Sequence, residues 1–390
     1  MIIKTADQVD PLFSFSSCHS EIHAFHDGLM YNQKSIQTEI VTMSEKLYFA
    51  SDYMEGALPA IMNRLAETNL EKTSGYGTDH YSESARRKIR ELCNAPAAEV
   101  QFLVGGTQVN EIVITSVLRP YQGVIAAETG HIAVHEAGAI EAGGHKVLTI
   151  PESYGKISAQ SVRDYCRAFY DDANHDHMVM PGMVYISQPT EYGTLYSLEE
   201  LSDLHDACRE FGLSLYADGA RLAYALACKE NDVSLSDLAR LCDVFYIGGT
   251  KCGALFGEAV VFADPCLIPH FFTIIKQRGA LVAKGRITGL MFDTLFTDGL
   301  YVKAGETALR EADRIRAALK ENGYRFFFET PTNQIFIVLD NETLARFGEK
   351  CEYSYWEKFD ENHTVIRLAT SWAANKEDTD KLIELLETMR

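Results

Sequence analysis

Two periods of apolar positions alternate along this chain. From about residue 57, short apolar runs recur: VQFLV (100–104), GVIAA (123–127), KVLTI (146–150), MVYIS (183–187), LSLYA (213–217), DVFYI (243–247) and EAVVF (258–262). Between them lie stretches with helical spacing, among them RRKIRELC (86–93), NEIVITSVL (110–118), HIAVHEAGAIEA (131–142), SAQSVRDYCRAFY (158–170) and SLEELSDLHDACREFG (197–212). Ser197 followed by Glu200 is a capping box and marks the start of that last helix. Short runs that are apolar throughout, alternating with helices, predict a mostly parallel sheet covered on both faces.

The pattern continues at lower density. A stretch rich in basic residues (276–300) reads as helical, and the helix YVKAGETALREADRIRAALKENG (301–323) ends at a glycine. NQIFIVL (333–339) and TVIRLA (364–369) read as strands, and KEDTDKLIELLETM (376–389) as a closing helix. The division expected is a large domain over 45–300 and a smaller α/β domain over 301–390. Residues 1–44 read as an N-terminal extension, disordered or upstream of the natural start, because Met43 opens a smoother beginning. His19, His23 and His26 stand at helical spacing beside Cys18, which invites a metal reading. No carboxylate cluster or second cysteine joins them, and no metal is expected.

Composition narrows the function classes. With 36 basic against 55 acidic residues the formal net charge is −19, which disfavours attraction to nucleic acid or anionic lipid. No run approaches the roughly 18 to 20 apolar residues of a membrane span. The nine cysteines include no C-x-x-C pair and read as reduced thiols of a cytoplasmic protein.

Candidate chemistry gathers at strand ends. Lys251 is the one basic residue in DVFYIGGTKCGALFGEAVVF (243–262). A desolvated lysine is more often the neutral amine that attacks carbonyls; a lysine snorkelling to solvent is the plainer reading. In LYADGARLAYAL (215–226), strand LSLYA delivers Asp218 to the carboxyl end of a parallel strand, where ligands bind. An Asp-Gly turn with a local Asp–Arg pair would look the same. A lysine for a Schiff base and a carboxylate for a ring nitrogen are what pyridoxal phosphate requires. LVGGTQVN (103–110) is a strand, a Gly105-Gly106-Thr107 turn and a helix, an anion site that is weak evidence alone. His131 follows strand GVIAA at the same edge, placed to stack on a ring or to cap a helix. Arg367 shares one side of its strand with Val365 and Ala369, and a surface salt bridge would explain it equally.

Taken in order, these residues make the chain resemble the threonine aldolase and β-eliminating lyase family of fold-type I pyridoxal-phosphate enzymes. The likeness runs from about ASDY (50–53) to the C-terminus and rests on DGAR (218–221), GGTKCGALFGEAVV, SGYGTDHYSE (74–83), GGTQVNE (105–111), GHIAVHEAGA (130–139) and TVIRLAT (364–370). It implies an aspartate aminotransferase-like fold: a large domain with a mostly parallel seven-stranded sheet flanked by helices, and a smaller C-terminal α/β domain. It also implies a homodimer or homotetramer with shared active sites. By the same resemblance, Lys251 is the Schiff-base lysine and Asp218 the partner of the pyridinium nitrogen. Gly105, Gly106 and Thr107 form the phosphate cup, and His131 is the ring-stacking histidine. Arg221, at the cofactor's edge, grips the substrate carboxylate together with Arg367 and Ser51. Arg286, in AKGRITG (283–289), is the basic residue a neighbouring subunit offers to the phosphate.

Three departures stand out. The phosphate turn begins with Gly105 where the family usually has serine, Thr250 and Cys252 flank the lysine, and His135 stands where relatives tend to carry tyrosine. The resemblance implies cleavage of β-hydroxy-α-amino acids such as L-threonine or L-allo-threonine to glycine and an aldehyde. His131 or His135 is the candidate base for the β-hydroxyl proton. β-Elimination from serine or cysteine conjugates is the alternative within the same chemistry, and a non-catalytic phosphate-binding protein the alternative outside it.

Overall fold

The structure, a computed structural model, describes residues 46–389. The expected N-terminal extension and the His19, His23, His26 and Cys18 group lie outside the described residues. In chain order the strands are β1 (Leu47–Tyr48), β2 (Glu99–Leu103), β3 (Gln122–Ala127), β4 (Val147–Ile150), β5 (Met180–Ser187), β6 (Ser214–Asp218), β7 (Val244–Gly248), β8 (Glu258–Phe262), β9 (Arg325–Phe328), β10 (Gln334–Asp340), β11 (Cys351–Glu352), β12 (Ser354–Lys358) and β13 (His363–Ala369).

Seven strands form the large sheet, in the order β2-β8-β7-β6-β5-β3-β4. Pairs β3·β4, β3·β5, β5·β6 and β6·β7 are parallel, and β8 runs antiparallel to both its neighbours. Strands β7 and β8 are buried at every position, the signature of a sheet covered on both faces. Successive residues serve opposite faces, as strand geometry requires. Val184, Ile186, Leu215 and Ala217 enter one core cluster, while Met183, Tyr185 and Tyr216 enter the other. The helix Gly106–Val117 covers the second face through Val109, Ile112 and Val113. Tyr185 and Tyr216 therefore project their hydroxyls beneath that helix, next to the strand ends.

Four of the remaining six strands, β12-β13-β10-β9, form an antiparallel sheet, backed by helices Leu300–Glu321 and Lys376–Thr388. β1 pairs in parallel with β11, and Leu47 and Phe49 pack in the core of this C-terminal sheet. The Ala369 N–H also donates to the Phe49 carbonyl at 2.8 Å. The segment leading to Ser51 and Asp52 is thus stitched to the chain's last strands.

The capping box at Ser197 and Glu200 forms as expected, and its helix stops at Gly212 in left-handed conformation. Two helical expectations need correction. The stretch 131–142 is two short helices, His131–Val134 and Ala139–Ala142, split where Ala137 (φ 51°) and Gly138 (φ 73°) turn left-handed. The basic stretch 276–300 holds the helix Arg286–Leu295, preceded by a separate short helix, Phe271–Gln277. Among the described residues no helix is long and apolar enough to cross a membrane, and no cluster of potential metal ligands occurs.

Candidate active site

The site is built at the carboxyl ends of β5, β6 and β7. Backbone crowding explains the glycines there. A Cβ on Gly219 would collide with the Tyr246 carbonyl, and one on Gly248 with the Ala220 carbonyl. With glycine at both positions, the turn after Asp218 and the turn carrying Lys251 pack directly against each other.

Glu258, at the start of β8, holds the lysine turn. Its carboxylate accepts the Gly249 N–H at 2.9 Å and the Thr250 hydroxyl at 2.7 Å, while Thr250 Oγ1 accepts the Gly257 N–H at 3.0 Å. Burial pushes the Glu258 carboxyl up to about 7 against the lowering effect of those bonds. Lys251 itself is half-buried, with Nζ 5.8 Å from the centre of the Tyr53 ring. Burial, reinforced by the Arg221 charge, pushes its ammonium below the ordinary lysine range. The Tyr224 hydroxyl donates to the Lys251 carbonyl and anchors the backbone beneath it. Cys252 is fully buried with Sγ 3.7 Å from the Ala220 carbonyl, and burial pushes its thiol up to about 12. Its side chain packs within the core cluster on that face of the sheet.

Asp218 is buried and surrounded by donors. Tyr185 donates to Oδ2 at 2.6 Å, Asn110 Nδ2 to the same oxygen at 3.2 Å, and the Ala220 N–H to Oδ1 at 2.9 Å. The other hydrogen of the Asn110 amide goes to Glu136 Oε1 at 2.7 Å, and Asn110 Oδ1 accepts from Tyr216 at 2.6 Å. Glu136 Oε1 also lies 2.7 Å from His131 Nδ1. Glu191 holds the same histidine from its backbone side: its Oε1 accepts the His131 N–H at 2.9 Å and the Ser187 hydroxyl at 2.8 Å. Burial raises the Glu191 carboxyl. His135 stands 5.7 Å from His131, ring centre to ring centre; burial and then the neighbouring His131 lower it.

A second cluster gathers the arginines. Asp52 and Arg221 form a buried bidentate pair, Nε to Oδ2 at 2.7 Å and Nη2 to Oδ1 at 3.0 Å. Burial alone would raise Asp52, but the Arg221 guanidinium, with Lys251, holds the carboxyl down at about 2. Asn333 Nδ2 donates to Asp52 Oδ2 at 2.9 Å. Arg367 bonds to Gln334 Oε1 (2.9 Å), Ser354 Oγ (3.0 Å) and the Ala50 carbonyl (3.2 Å). Burial, with Arg221 nearby, pushes it down to about 10. Arg367 Nε, Gln334 Nε2 and Asn333 Oδ1 are buried without a partner, and Ser51 is buried alongside in sequence.

At the other end of the site, Gly105 is extended and leads into the helix Gly106–Val117, whose N-terminus has no side-chain cap. Its free amides suit an anion. Arg286 hydrogen-bonds not to this turn but to the Thr68 carbonyl at 2.7 Å, and its Nη1 is buried without a partner. The structure thus brings Lys251, Asp218, His131, His135, Arg221 and Arg367 into one neighbourhood and leaves Arg286 on a separate contact.

A family model described as "Beta-eliminating lyase" matches residues 48–342. The chain belongs to the beta-eliminating lyase family. Within reach of this family, the low specificity L-threonine aldolase of Pseudomonas aeruginosa is 31% identical, over 76% of this chain and 85% of the relative. The threonine aldolase structure of Leishmania major superposes with a TM-score of 0.85 at 40% identity, covering 88% of this chain and 99% of that one. Aspartate aminotransferase of Thermus thermophilus, at 14% identity and TM-score 0.65, covers 92% of this chain and 95% of its own and shares the fold. The family and the fold-type I architecture expected from the sequence are borne out.

Asn110, Glu136, Tyr185, Glu191, Glu258 and Asp52 carry no expectation from the sequence. Two signals were present in it. Asn110 lies one turn inside the helix after the GGT turn, and Glu258 is a lone acid opening an otherwise apolar strand.

Proposed function

We propose that the chain is a pyridoxal 5'-phosphate-dependent aldolase that cleaves L-threonine-type β-hydroxy-α-amino acids to glycine and an aldehyde. The observation that carries this reading is the 40% identity to a threonine aldolase over 88% of the chain. The residues fit the cofactor. Lys251 is a lysine with depressed basicity for its aldehyde carbon, and Asp218 is a buried carboxylate for its ring nitrogen. The uncapped helix start at Gly105–Thr107 offers amides to its phosphate. When bound, the cofactor supplies an electron sink for the pair released from the Cα–Cβ bond.

The chain's own residues do the rest. Arg367, with its buried unpaired Nε, and Ser51 bind the substrate carboxylate beside Arg221, whose charge Asp52 already balances. Holding that carboxylate fixes which Cα bond stands perpendicular to the ring plane. His131 or His135 accepts the β-hydroxyl proton, and burial lowers the basicity of His135. Arg286, with Nη1 unpartnered, is assigned to the phosphate of a second copy in a cytoplasmic homodimer or homotetramer.

The family description favours one other reading, β-elimination from serine or cysteine conjugates. Incubating the cofactor-loaded protein with L-threonine, L-allo-threonine and L-serine separates them. Glycine plus aldehyde supports the aldolase; pyruvate plus ammonia from serine, with threonine untouched, replaces it.

A further inference from the structure

Glu136 is buried, its side chain wholly inaccessible, and it lies between the short helix His131–Val134 and the left-handed residues Ala137 and Gly138. One of its oxygens, Oε1, meets both His131 Nδ1 and Asn110 Nδ2 at 2.7 Å, while Oε2 is buried and unpartnered. The roles of donor and acceptor follow from the surrounding inventory. The Asn110 amide has two N–H bonds, and both are taken by carboxylates, Glu136 and Asp218. Its oxygen accepts from Tyr216, so the opposite amide orientation would set that oxygen against two carboxylates. Glu136 Oε1 is therefore an acceptor toward Asn110. With Glu136 as a carboxylate the hydrogen shared with His131 sits on Nδ1, and in the neutral imidazole Nε2 then carries the lone pair. The backbone of the same residue is pinned independently by Glu191. The imidazole is one-third exposed, and its Nδ1 faces a carboxylate side chain with no exposure.

We propose that Glu136 is a positioning residue that fixes His131 as the Nδ1–H tautomer and so reserves Nε2 as the acceptor of the substrate's β-hydroxyl proton. The proposal rests on the aldolase reading and selects His131 over His135 as the base. In the cleavage step the O–H bond breaks and an Nε2–H bond forms. The oxygen lone pair becomes the aldehyde π bond as the Cα–Cβ bond breaks; the pyridoxal cofactor, when bound, would supply the sink for that pair, and a proton from water returns to Cα to complete glycine. The imidazolium that results keeps its second hydrogen on Nδ1, facing Glu136, whose charge offsets it. Asn110 joins this carboxylate to Asp218, so one amide sets the spacing of the two acids that serve the two ends of the reaction.

Neutron diffraction from the deuterium-exchanged holoenzyme at mildly alkaline pH reads the tautomer directly. A deuteron on His131 Nδ1 with Nε2 bare is expected; a deuteron on Nε2, alone or with Nδ1 filled, overturns the proposal. Kinetics provide the second arm. Glu136→Leu removes the acceptor and is expected to lower kcat for L-threonine on the order of a hundredfold, as loss of an oriented general base does, with KM within about twofold. Glu136→Gln keeps an oxygen that Asn110 holds toward His131, and is expected to restore kcat to within about tenfold of the native value. A folded, cofactor-loaded Glu136→Leu protein with native kcat, or a Gln variant no better than Leu, overturns it. Should Glu136→Leu fail to fold, the native neutron map and the Gln variant still decide. Absence of threonine cleavage by the native protein would count against the aldolase reading alone, because the neutron map reports the tautomer regardless of substrate.

Discussion

Asp218 and the Gly105–Thr107 turn serve the two ends of one proposed cofactor, and they are built on opposite lines. Asp218 sits in a closed hydrogen-bond network whose donors, Tyr185, Asn110 and the Ala220 N–H, all come from this chain. The turn at Gly105 ends in free helix amides with no side-chain cap, and the arginine assigned to the phosphate faces Thr68 with one nitrogen unpartnered. A site whose donors are already fixed can act on the reaction without reorganising. A site whose donors are unsatisfied gains its order only on binding. The first end should therefore govern rate and the second occupancy.

The substitution with the largest expected effect bridges both ends. Lys251→Ala should abolish borohydride-trappable cofactor and all cleavage; a protein that stays yellow and reducible would remove the lysine from its assigned place. Next, Asp218→Asn should lower kcat on the order of a hundredfold, the scale of one preorganised electrostatic contact, with cofactor still bound. If it loses cofactor instead and keeps its rate when saturated, the contrast between the two ends collapses. Asp52→Ala leaves Arg221 buried without its counter-charge and should cost about 3–5 kcal/mol of stability, measured by denaturant unfolding. Arg286→Ala should weaken cofactor affinity about tenfold or somewhat more, the worth of one charge-assisted hydrogen bond, with kcat at saturation preserved. A pH dependence at Glu258 completes the series. Folding lifts this carboxyl from 4.5 to about 7, so its protonated form stabilises the fold fully below about pH 4.5, and that stabilisation is lost as pH rises through 7. The Tm of Glu258→Gln relative to native protein should then rise between about pH 5 and pH 8; a pH-independent difference would show that Glu258 does not titrate in that window.

Fold and site were legible to different depths. The large sheet could be read because strands buried on both faces write continuous apolar runs, and VFYIG and EAVVF are buried throughout. Lys251 and Asp218 stood out because each is a lone charge at the end of such a run. The network between them could not be read. Asn110 lies 108 residues from Asp218 and 26 from Glu136, and nothing in local spacing marks a hydrogen bond across such distances. The stretch 131–142 reads as one helix because its apolar spacing is helical; periodicity does not register the two left-handed residues, Ala137 and Gly138, that follow Glu136 and split it. The Asp52–Arg221 pair escaped for the same reason as Asn110, its members being 169 residues apart.

The short pairing of β1 with β11 has a consequence for the order in which the site comes into being. Asp52 is delivered by a segment whose backbone is held by Glu352 and Ala369, so the counter-charge of Arg221 depends on residues near the end of the chain. Closing a loop of that length is entropically slow compared with the local contacts of the central sheet. A chain emerging during synthesis can form the β5–β6–β7 edge, with Lys251 and Asp218, while Arg221 is still without Asp52. On loop-closure grounds the proposed arginine grip is expected to mature last, once the C-terminal strands have placed Asp52.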